Sequence, residues 1–84
     1  MDNPQTMLDE WQSSNKRLSL LHLLIDEARK LGYSDEEHED KLSAYTKTKQ
    51  AMAKRNEIWR VYFKSQKDKS AKSELSEIIK TILL

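Results

Sequence analysis

Eighty-four residues, 35% charged and 37% apolar, with one Gly, one Pro and no Cys, describe a single small domain, residues 1–84, built from long helices. The lack of cysteine excludes a disulfide framework and a thiolate metal site, and no stretch approaches membrane-spanning length. The net charge of +1 hides a division: residues 1–40 hold ten acidic and four basic groups, whereas residues 41–72 hold ten basic and two acidic ones. Opposite charge on the two halves favours an antiparallel helical hairpin. The opening MDNPQTMLDEW has no basic region followed by an apolar run, so no secretory signal and a cytoplasmic location are expected.

Helix 1 is expected over residues 4–31. Asn3 is its N-cap, Pro4 its first helical residue, and Gly32 the residue past its end after Arg29 and Lys30. Met7, Trp11, Ser14, Leu18, Leu21, Ile25 and Ala28 recur in steps of four and three and form one seam. Leu20, Leu24 and Leu31 lie beside that seam and Leu23 beyond it, so the apolar arc is wider than one partner helix covers.

Helix 2 is expected over residues 34–67. Ser34 and Glu37 have the spacing of a capping box, Asp35 to Glu37 suit the positive end of the helix dipole, and Glu37 and Lys41 make an i,i+4 pair. Its seam is His38, Leu42, Tyr45, Lys49, Met52, Asn56, Trp59 and Phe63, with a shallower second row of Ala44, Ala51, Ile58 and Tyr62. A hinge at residues 46–50, giving four helices, is the alternative, although neither Gly nor Pro marks it. The polar run QKDKSAKS separates helix 2 from helix 3, expected over residues 70–84 with Ala71, Leu75, Ile78, Ile79, Ile82 and Leu83 on one side.

The LGYS turn is short, so helices 1 and 2 are antiparallel neighbours. Helix 3 spans roughly 22 Å against roughly 50 Å for helix 2. Folded back, it is expected to cover Trp59, Phe63, Trp11 and Met7 and to leave the leucine-rich half of helix 1 open to water. An open strip of that kind marks an interface. The expected fold is therefore all-α, a long hairpin with a short third helix, completed into a bundle by a homodimer or another protein at Leu18, Leu21, Leu24, Ile25 and Leu42, with Leu83 and Leu84 as a second patch. The alternative is that helix 3 packs elsewhere and closes the monomer.

Chemistry is not written into the chain. With no Cys, two His and one Gly, there is no nucleophile elbow, phosphate loop or dinucleotide fingerprint, so no catalytic or cofactor residue is assigned and no small-molecule substrate is expected. Asp35 and His38 have a metal-compatible spacing, but an acidic first turn accounts for them without a metal, and His22 sits at the edge of an apolar arc. Lys47, Lys54, Arg60 and Lys64, with Lys49 and Lys67 at the edge, form a basic arc interrupted by Glu57 and Val61. Trp59, Tyr62 and Phe63 fit core positions. No membrane contact is expected, because helices 1 and 3 account for the aromatic side. The expected function is non-enzymatic protein–protein interaction, as a regulator, adaptor or chaperone-like accessory protein, with nucleic-acid binding through the basic arc as the alternative.

Overall fold

A computed structural model describes residues 4–84, and every regular element among them is a helix. These are α1 (Pro4–Ser13), α2 (Asn15–Lys30), α3 (Glu36–Thr46), α4 (Lys49–Ser65) and α5 (Lys69–Leu83). The expected Asn3 cap lies outside the described residues. Both long helices read from the sequence are broken in two. A straight 34-residue helix of roughly 50 Å would exceed the molecule's longest extent of 43 Å.

Two hydroxyls make the breaks. At Ser14 the backbone turns extended (φ −83°, ψ 156°), and Oγ accepts the Arg17 N–H at 3.2 Å while donating to the Trp11 carbonyl at 2.8 Å. Thr48 repeats the pattern (φ −90°, ψ 157°), with Oγ1 accepting the Ala51 N–H at 3.2 Å and donating to the Tyr45 carbonyl at 2.7 Å. Short hydroxyl side chains offer the backbone these bonds in place of helical ones, so a break needs neither Gly nor Pro. The hinge at residues 46–50 is thus real, and the break at Ser14 corrects the continuous helix 1.

The breaks face each other and are tied together. Ending α3 early leaves carbonyls without helical partners, and side chains from the other break supply the donors. Trp11 Nε1–H donates to the Thr46 carbonyl at 2.6 Å, and Gln12 Nε2–H donates to the Lys47 carbonyl at 2.8 Å. Arg17 bridges both sides, with Nε–H donating to the Gln12 carbonyl and Nη1–H to Thr46 Oγ1 at 3.3 Å. Trp11 and Thr46 are both buried.

The remaining connections are local. Gly32 takes φ +96° just past α2, and the bonds Gly32 N–H to Arg29 carbonyl and Tyr33 N–H to Ala28 carbonyl complete a Schellman motif. At the start of α3 the expected Ser34–Glu37 box is absent: the cap is Asp35, which makes no side-chain cap bond, and Glu36, Glu37 and Glu39 sit favourably at the positive end of the helix dipole. Asp68 caps α5 by accepting from Ser70 N–H at 3.0 Å and Ser70 Oγ–H at 2.9 Å. Those bonds hold its carboxyl below the ordinary range.

Each break also rotates the inward face. At about 100° per residue, a continuous helix would set Ala51, Ile58, Val61 and Ser65 roughly a third of a turn away from Leu42 and Thr46, yet all six are buried. The Ser14 break moves the face by roughly half a turn, from Trp11 to Leu20, Leu24 and Ala28. Helix α5 then lies against α4, α3 and α2 with Ala71, Leu75, Ile79 and Leu83 inward, and Lys41 Nζ reaches its last turn at the Leu83 carbonyl. It covers the leucines and leaves the aromatics: Leu20, Leu24 and Leu42 are 0% exposed, whereas Phe63 is 60% and Met7 50% exposed. The expected helix 3 covering is corrected accordingly for Phe63 and Met7, while Trp59 is half-buried, and one chain closes its own leucine core. The caps contribute about 1 kcal/mol each, against roughly 1.5–3 kcal/mol for each buried leucine. The caps therefore choose direction and the leucines hold it.

Ser14→Ala and Thr48→Ala are expected to destabilise by about 1 kcal/mol each in urea unfolding. On unbroken helices the same changes would stabilise, because Ala is the better helix former, so the sign alone decides. Trp11→Phe strands a buried carbonyl and is expected to lose roughly 1–3 kcal/mol, measured the same way. Trp11→Ala should lose roughly 3–5 kcal/mol, and Trp59→Ala, from a half-buried position, distinctly less.

Candidate functional site

A groove of about 600 Å³ lies between the first half of α4 and the second half of α5. Its origin is a mismatch of apolar width. Helix α5 turns Leu75, Ile79 and Leu83 inward, and Ile78 and Ile82 lie one position round from that seam. They rest only half-buried against the core. Across from them α4 supplies Ile58, and α3 supplies Tyr45. These four side chains make an apolar floor.

The rim is charged and unevenly so. Glu74, Glu77 and Thr81 edge it on α5, whereas Gln50, Lys54 and Glu57 edge it on α4. Three carboxylates against one ammonium give a negative mouth over an apolar floor. Tyr45 feels both parts: partial burial, and then the negative charge of Glu57, push its hydroxyl above the ordinary 10.0. A floor of this chemistry takes apolar side chains, and the rim favours cations at their flanks.

None of the leucines expected at an interface lines this groove. Leu24 and Leu42 are fully buried in the core and Leu83 nearly so, Leu21 and Ile25 are half-buried beside it, and Leu18 and Leu84 are exposed. The basic set is divided. Lys47, Lys54, Arg60 and Lys64 are all exposed, and among the described residues none of them sits in an ion pair. Val61, in the middle of the expected arc, is buried. Lys54 therefore falls on the groove side of α4, whereas Arg60 lies toward the outer side with Phe63, and Lys64 lies between Arg60 and the groove-edge Glu57 in helical phase. On the outer side Trp59 and Phe63 stack with ring centroids 5.5 Å apart, and Tyr62 meets both edge-on.

Other sequence candidates resolve locally. His38 stands edge-on to Tyr33 at 5.2 Å and 3.9 Å from Asp35, too far for a hydrogen bond. His22 is exposed. Among the described residues no group of three or more His, Cys, Asp or Glu is placed to hold a metal ion, and no helix is long and apolar enough to cross a membrane. Another cleft is lined by Met7, Trp11 and Ser14 on one side and by Met52 and Arg55 on the other. The groove itself was missed by sequence reading. Its one legible sign is the excess apolar width at Ile78 and Ile82.

Tyr45 gives the groove a titration. Its folded phenol holds a proton that the unfolded phenol releases, so this part of the stability is intact below pH 10.0 and is lost as pH rises through the raised value. Tyr45→Phe is expected to remove one tyrosinate step above pH 10.0 from the absorbance titration and to flatten the alkaline loss of stability. Compared with protein families, with curated proteins and with solved structures, the chain finds no match.

Proposed function

We propose that this chain is a non-enzymatic binding protein that works by protein–protein contact, receiving in the α4–α5 groove a short helix whose apolar face is flanked by Lys or Arg. The observation that carries this is the groove's composition: Tyr45, Ile58, Ile78 and Ile82 under a rim of Glu57, Glu74 and Glu77 with one Lys54. Amphipathic helices dock in such grooves through anchors spaced at three, four and seven residues. From Glu74 to Ile82 the α5 wall runs roughly 12 Å, or two helical turns, room for two such anchors. A homodimer through the α2 leucines has less support, since Leu24 and Leu42 are buried in the chain's own core.

A second class of partner is favoured by one observation. Phe63 is 60% exposed and stacked on Trp59, with Arg60 and Lys64 beside it. An exposed ring flanked by unpaired cations is the arrangement on which single-stranded nucleic acids stack. It replaces the expected arc of four cations with a smaller patch.

A fluorescent amphipathic peptide of Leu and Lys, followed by polarisation, is expected to bind the wild-type protein more tightly than a Leu and Glu counterpart. Ile82→Asp should abolish that binding and Arg60→Ala should leave it unchanged. Equal affinity for the two peptides, or indifference to Ile82→Asp, would reject the groove as the site. For the second class, a labelled single-stranded oligonucleotide should bind with affinity that falls as salt rises and that is lost in Phe63→Ala.

A further inference from the structure

We infer that the helix received by the groove is α4 of a second copy of this chain, seated by its outer face, so that copies join head to tail. This rests on the groove being a docking site for a cation-flanked helix. The outer face of α4 is itself such a helix. Trp59 and Phe63 stand one turn apart with their rings stacked, and Phe63 is the most exposed large apolar side chain outside the carboxyl terminus. Arg60 and Lys64 each follow one of these rings by a single position. Both cations therefore flank the ring pair on the same side, one turn apart.

The groove is lopsided in the matching sense. Its α5 edge carries two carboxylates, Glu74 and Glu77, also about one turn apart, whereas its α4 edge mixes Lys54 with Glu57. Laying the ring pair of one copy on Ile78 and Ile82 of the next sets Arg60 and Lys64 opposite Glu74 and Glu77 and keeps them from Lys54. The reverse orientation brings cation against cation. Arg60 and Lys64 have no ion pair among the described residues of their own chain, and only Lys64 feels a nearby carboxylate there, that of Asp68.

Ridge and groove occupy different sides of α4, roughly 130° apart at about 100° per residue. One copy can therefore give its ridge and receive at its groove together. Because the two surfaces differ, the contact is heterologous, and two copies joined in this way still leave one free ridge and one free groove. Assembly then runs on to a ring or an open chain.

Light scattering on the full chain, from micromolar to near-millimolar concentration, is expected to give an average mass that passes that of a dimer and falls with added salt. Ile82→Glu, which closes the groove, and Phe63→Glu, which spoils the ridge, should each be monomeric. Mixed in equal amounts they should give a dimer and nothing larger, since one good ridge and one good groove remain. A charge exchange supports this without touching apolar side chains: Arg60→Glu with Lys64→Glu should weaken assembly, and adding Glu74→Lys with Glu77→Lys to the same chain should restore it. A wild-type monomer at every concentration, or a dimer that both single-face variants retain, would overturn head-to-tail joining. If the wild type stays monomeric while the cationic peptide still binds and Ile82→Asp abolishes that binding, the groove serves another protein and the second copy is rejected. If the peptide also fails, both proposals fall together.

Discussion

One hydrogen bond, from the Trp11 indole to the Thr46 carbonyl, carries more of this structure than its length suggests. It joins two helix breaks that are each made by a single hydroxyl, and a single cap is worth about 1 kcal/mol, too little to fix the direction of a helix. Gln12 and Arg17 add donors to the same junction. Together they supply partners for carbonyls that ending α3 would otherwise strand, and an unmatched buried carbonyl is more costly than a made bond is favourable. The four helix segments meeting there are held at fixed angles by polar atoms, and only then do their apolar faces agree on a common centre.

That agreement determines what the surface offers. With α4 rotated against α3, Ile58 and Val61 point inward, Trp59 is half-buried at the core's edge and Phe63 is left toward solvent. Helix α5, drawn to the leucines of α2 and α3, brings a broad apolar face against a narrower one on α4. The surplus, Ile78 and Ile82, becomes the wall of the groove. Core and groove thus have one cause, the phase set at the breaks, and so does the aromatic ridge on the far side of α4.

The helical class, the turn at Gly32 and the inward face of α5 could be read from the residues, because each follows from local chemistry: composition, a positive φ that suits Gly, and a seam of Ala71, Leu75, Ile79 and Leu83. The break at Ser14 could not, and the one at Thr48 was legible only as an alternative. Ser14 and Thr48 are ordinary residues for a helix surface, and whether such a hydroxyl caps or bonds back depends on partners about 35 residues away. A missed break is not a small error, because every later residue inherits the wrong phase. Hence Leu24 and Leu42 were assigned to an interface and lie in the core, and Phe63 was assigned to the core and lies outside. The groove escaped for a further reason: it lies between two helices and belongs to no single periodicity.

The span of that central bond also bears on how the molecule assembles. The cap bonds at Ser14 and Thr48 reach three residues, whereas the indole to carbonyl bond closes a loop of 35. Short closures are met early and cost little chain entropy, and long ones must wait for collapse to bring their ends together. The helices here rest on closures within three residues, whereas the angles between them rest on closures across the chain. Trp11 is the ring that ties the two breaks together, so the environment of its indole reports whether the four segments have been brought to their native angles.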